Sequence, residues 1–89
     1  MTLWFRRCYV ADILSGKKRD TIRRVGSRLP RVGQEVSLSV GPRPAFARAL
    51  ITSADPVSLA ELDQERAAAV QQMYGSDPLV RLRFDLVAP

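Results

Sequence analysis

The chain has 89 residues, 46% of them hydrophobic and 26% charged, with a formal net charge of +5; this length limits it to one domain, residues 1–89, built on a single core. One cysteine, Cys8, and no histidine exclude an intramolecular disulfide and a zinc cluster, so neither a metal nor a cofactor is expected. No apolar run approaches the about 18 residues of a membrane span and the first residues lack a signal-type apolar region, so the expectation is a cytoplasmic protein with no membrane partner.

Residues 2–5 form a short apolar run containing Trp4 and Phe5, read as a first strand. From residue 9 to 15, Val10, Ile13 and Leu14 recur at helical spacing, and Gly16 stands where a left-handed residue closes a helix. A second strand over 20–25 would place Thr21 and Arg23 on one face and Asp20, Ile22 and Arg24 on the other. Residues 26–33, with Pro30, form a loop of turn residues. Residues 35–40 alternate polar and apolar as a half-buried strand does. After Gly41-Pro42-Arg43-Pro44, residues 45–54 read as another strand, hairpin-paired with the one before and apolar on both faces.

Ser58-Leu59-Ala60-Glu61 is a capping-box pattern, and a helix over 59–73 follows it. Leu59, Leu62, Ala69, Val70 and Met73 share one side of that helix, but Arg66 falls inside the same stripe. Arg66 therefore snorkels, breaks the helix, or faces a polar cavity. Val80, Leu82, Phe84 and Leu86 alternate with Arg81, Arg83 and Asp85 in a last strand. Five short strands with two helices predict a small α+β fold, a curved sheet or partial barrel with few open edges.

Charge is distributed unevenly. Residues 1–31 hold nine Lys or Arg against Asp12 and Asp20, a net +7, whereas the remainder holds five basic and seven acidic residues, a net −2. A one-sided positive field favours a polyanion, nucleic acid first. Twelve of the fourteen basic residues are Arg; the two lysines, Lys17 and Lys18, are adjacent. They lie at the negative end of the first helix, where the helix dipole accounts for one of them better than for two.

The run Gly16-Lys17-Lys18-Arg19-Asp20-Thr21-Ile22-Arg23 resembles the signature of ASCH domains, small relatives of the RNA-binding PUA fold. Tyr9 to Leu14 resemble that family's first helix, and Val32-Gly33-Gln34-Glu35-Val36 its lead into a strand. Val57-Ser58-Leu59, Met73-Tyr74-Gly75 and the closing strand extend the resemblance over nearly the whole chain. The ASCH proteins it looks most like are small bacterial amidohydrolases that remove the acetyl group of N(4)-acetylcytidine. That resemblance implies a lysine as proton acceptor, at Lys18, a threonine as nucleophile, at Thr21, and a glutamate as proton donor. The segment that carries the glutamate is shorter here, so the acid falls on Glu65 first and Glu61 second; if neither reaches the pocket, the expectation becomes nucleoside binding without hydrolysis.

The residues permit this chemistry. A threonine hydroxyl needs a base, and a lysine serves as one when desolvation or neighbouring cations favour its neutral form; Lys17, Arg19, Arg23 and Arg24 surround Lys18 in sequence. Positions 18 and 21 point to opposite faces of an ideal strand, so the pair meets only if Lys18 lies in the turn after Gly16 or a bulge intervenes. Arg23 or backbone N–H groups near Gly16 can receive the developing oxyanion. Trp4, Phe5, Tyr9 and Tyr74 can stack a base, with Arg23, Trp4 and Tyr74 taken as the substrate-binding set. The expected partner is a modified nucleoside. Alternatives are a non-catalytic RNA-binding module, whose affinity falls with salt and survives Thr21→Ala, and a ribonuclease.

Overall fold

The computed structural model describes residues 1–25, 28–74 and 78–87, without the side chains of Leu59, Met73 and Tyr74. Its strands are β1 (Thr2–Trp4), β2 (Asp20–Arg24), β3 (Glu35–Ser39), β4 (Ala47–Val57) and β5 (Leu79–Leu86), with helices α1 (Val10–Leu14) and α2 (Gln64–Tyr74). The five strands make one sheet in the order β1-β3-β4-β5-β2. β1 runs parallel to β3 and the other neighbours are antiparallel. This is the expected small α+β architecture, a curved sheet that does not close.

One face of the sheet carries the main core. Leu3, Phe5, Ile13, Val36, Leu38, Ala49, Ile51, Val80, Leu82 and Phe84 are all buried there. Phe5 and Phe84 meet edge to face at 6.2 Å between ring centroids, the arrangement their quadrupoles prefer. The opposite face holds a smaller cluster of Ile22, Val70 and Leu79, flanked by Val57 and Leu62, under α2. Register explains the division: Thr21 lies opposite Leu82 and Ile22 opposite Arg81, so Thr21 shares the main-core face while Ile22 turns toward the helix.

Three local departures from expectation have physical causes. β4 runs beyond residue 54 because a bulge between Ile51 and Ser53 resets its pairing with β5, and β3 pairs only with Ala47–Leu50. Among the described residues no strand pairs with the other side of the far half of β4, which tolerates Pro56 there. Nor is β4 apolar on both faces, since Leu50 is exposed while Ala49 and Ile51 are buried. The capping box serves only a 3-10 turn, Leu59–Glu61, in which the Ser58 N–H donates to Glu61 Oε2 at 3.0 Å. α2 starts afresh at Gln64, with the Arg66 N–H donating to Asp63 Oδ1 at 2.8 Å.

α1 ends as its sequence requires. The N–H of Gly16 donates to the Ile13 carbonyl at 3.1 Å, and Gly16 adopts φ +82°, a conformation that a Cβ disfavours. A Cβ there would also lie 3.3 Å from Arg19 Nη2. Gly16→Ala is expected to destabilise the fold by about 1–2 kcal/mol, measured by denaturant unfolding.

Candidate functional site

β1 and β2 are the two edges of the sheet, and its curvature brings them to opposite sides of a gap. A side chain bridges it: Arg23 on β2 donates from Nη2 to the Trp4 carbonyl on β1 at 2.8 Å, and its guanidinium lies 5.0 Å from the centre of the Phe5 ring. The gap opens into a cavity of about 410 Å³, lined by Trp4, Phe5, Arg6 and Tyr9 from the β1 side, Lys18, Thr21, Ile22 and Arg23 from the β2 side, and Arg66, Ala69, Val70 and Gln72 from α2. Thr21 is one of two buried polar residues among the described core, 6% exposed. Its Oγ1 accepts from Arg23 Nε at 3.1 Å. That bond occupies a lone pair and leaves the hydroxyl hydrogen free to be given away.

Lys18 lies in the turn between Gly16 and the start of β2, not in the strand. Its backbone N–H donates to the Asp12 carbonyl at 2.9 Å, fixing the turn onto α1, so Lys18 and Thr21 line the same cavity despite their separation of three in sequence. Burial, chiefly, holds the Lys18 ammonium below its ordinary pKa, and the positive charges of Arg66 and Arg23 add to this; Asp20 and Asp12 pull the other way without prevailing. Lys18 Nζ sits 4.7 Å from the centre of the Tyr9 ring, a contact that favours the cation and that burial must also overcome.

Arg66 faces the cavity, so the charged residue inside the apolar stripe marks a polar hollow. Its Nη1 and Nη2 each donate to an Asp20 carboxylate oxygen at 3.2 Å, a two-pronged pair that fixes guanidinium orientation. Arg81 Nε approaches Asp20 Oδ2 at 3.3 Å as an ion pair, although not along a hydrogen-bonding direction. Asp20 thus stands between two arginines on the α2 face and orients the one that reaches the cavity.

The expected glutamates stand elsewhere. Glu65 is exposed and absent from the cavity wall, although Arg66, the next residue of α2, lines it. Glu61 is exposed and engaged with the Ser58 N–H. No described Asp or Glu lines the cavity. Trp4, 57% exposed, offers an open ring at the mouth, whereas the side chain of Tyr74 lies outside the described residues. Arg6 and Gln72 also line the cavity, and neither stands out in the sequence as a site residue. Gln72 could have been found three residues after Ala69 on the same helix side, and Arg6 beside Trp4 in extended backbone, with φ −71° and ψ 148°. Among the described residues no group of acidic, Cys or His side chains could hold a metal ion, and no helix is long and apolar enough to cross a membrane.

This arrangement of sheet and helices recurs in solved structures. An ASCH domain from Lactobacillus crispatus JV V101 superposes with a TM-score of 0.74, covering 96% of this chain and 77% of that one at 17% identity. A protein of Enterococcus faecalis V583, of the DUF984 family, superposes with a TM-score of 0.68 over 86% of this chain and 68% of that one, also at 17% identity. No family model and no curated protein matches the sequence. The fold is that of the solved ASCH domain, a small α+β fold.

Proposed function

We propose that the protein is an ASCH amidohydrolase that removes the acetyl group from N(4)-acetylcytidine or a closely related acylated nucleoside. The observation that carries this reading is the joint placement of Lys18 and Thr21 in one cavity, with the Lys18 ammonium disfavoured by burial and by Arg66. Neutral Lys18 takes the Thr21 Oγ1 proton as the oxygen attacks the acetyl carbonyl carbon. Arg23, which already donates to Oγ1, is placed to stabilise the oxyanion that forms.

Neither Glu65 nor Glu61 nor any other described carboxylate stands in the wall, the case in which nucleoside binding without hydrolysis was expected. Hydrolysis then needs another acid, and this reading gives that role to Lys18 itself. The Lys18 ammonium returns its proton to the exocyclic nitrogen as the C–N bond breaks, as in serine–lysine hydrolases. Cytidine leaves and the acetyl group remains on Thr21. Water then attacks that ester, giving one proton to Lys18, which passes it to Thr21 Oγ1 as the ester C–O bond breaks; acetic acid leaves and ionises to acetate, and Lys18 is neutral again. This scheme needs no glutamate, metal or cofactor, and Trp4 supplies the face on which the base stacks.

The test is release of cytidine and acetate from N(4)-acetylcytidine by the purified protein. Release is expected; cytidine binding without release would leave a nucleoside-binding module instead. RNA is proposed as a further partner of the basic first third. RNA affinity that falls steeply with salt and survives Thr21→Ala, in a protein without hydrolase activity, would make RNA binding the primary role.

A further inference from the structure

The cavity is cationic in excess of what the hydrolysis of a neutral nucleoside uses. Four basic residues line it, Arg6, Lys18, Arg23 and Arg66, against no described Asp or Glu. Three of the four have internal duties. Arg66 is held by Asp20, Arg23 by Thr21 and the Trp4 carbonyl, and Lys18 faces Thr21's cavity from the turn and rests on Tyr9.

Arg6 differs. Its side chain is exposed and has neither a hydrogen bond nor an ion pair among the described residues. It flanks Phe5 on one side as Trp4 does on the other, and extended backbone turns the two toward the same side of the chain. An open indole and an uncommitted guanidinium therefore stand together at the mouth, while the inner end holds Lys18 and Thr21. A base on an aromatic face with an anion on an adjacent arginine is how proteins hold a nucleotide rather than a nucleoside.

We infer that Arg6 binds a phosphate, and that the preferred substrate is an acylated cytidine nucleotide whose phosphate lies at the cavity mouth. This rests on the hydrolase reading of the same cavity and adds the substrate's charge to it. The guanidinium presents a forked pair of donors to phosphate oxygens, and the fixed cations behind it, Arg23 and Arg66, attract the same anion over a longer range.

The experiment compares kcat/KM for N(4)-acetylcytidine and for its 5′-monophosphate, at low and high salt, in the wild type, in Arg6→Gln and in Arg43→Gln, an exposed arginine outside the cavity. The wild type is expected to prefer the monophosphate by about tenfold or more, the scale of one charge-assisted contact. That preference should shrink with salt, collapse toward unity in Arg6→Gln and persist in Arg43→Gln. Equal rates for the two substrates in the wild type, or an equal loss of preference in both variants, would overturn the inference while leaving the hydrolase reading intact. If neither substrate is cleaved, the hydrolase reading fails, and titration with cytidine 5′-monophosphate decides: about tenfold weaker binding to Arg6→Gln than to wild type supports the phosphate site, and equal or undetectable binding by both overturns it.

Discussion

Lys18→Met and Thr21→Val are each expected to lower kcat/KM for N(4)-acetylcytidine by about 10³-fold, the scale on which a positioned base and its nucleophile act. Both replacements keep volume in the cavity while removing the amine or the hydroxyl. The pH profile carries a sharper signature. The proposed mechanism needs neutral Lys18, so activity should climb with pH and level off above a pKa lying below the ordinary lysine value of 10.5. Asp20 raises that pKa and Arg66 lowers it. Asp20→Asn should therefore move the rising limb to lower pH, and Arg66→Met should move it to higher pH. Steady-state rates across pH check both signs at once. A shared direction would show that the limb does not report Lys18.

Phe84→Ala is expected to cost about 3–5 kcal/mol, the largest effect on stability of any single truncation proposed. Phe84 is 1% exposed and sits on β5, the strand between β4 and β2. It also supports Phe5, whose ring carries the Arg23 guanidinium. A domain of this length has a total stability on the order of 5–13 kcal/mol, so the variant should lose much of its folded population. Urea unfolding measures the loss, with Lys18→Met as the comparison expected to retain the wild-type midpoint to within about 1 kcal/mol.

Local patterns made most of the fold legible. Alternation marked β3 and β5, the helical spacing of Val10, Ile13 and Leu14 marked α1, and the role of Gly16 followed from its place after a short apolar helix. α2 was harder, because Ser58-Leu59-Ala60-Glu61 satisfies a capping box and nothing local says that the turn it caps stops at Glu61 before Asp63 starts again. At the site, Arg66 was visible as a conflict: a charge in an apolar stripe must be compensated by something. Its compensator, Asp20, was not visible, since the two are 46 residues apart and meet only because α2 crosses the face of β2. Glu65 misled for a related reason. Helical angle can be read from spacing, but which of two adjacent positions turns into a cavity, Arg66 rather than Glu65, depends on where the neighbouring strands lie.

Exposed sheet edges invite pairing with other chains, and proteins guard them with charge. β1 and β2 meet that hazard from inside the cavity they leave between them, because Arg6 and Arg23 confront any second copy that offers the same edge with like charge. A barrel closed by direct β1–β2 pairing would be safer still, and it would have no cavity. On the proposed reading, resistance to self-association and recognition of a ligand would depend on the same side chains. Neutralising them would weaken both together, so a loss of solubility in such variants would accompany a loss of binding rather than explain it.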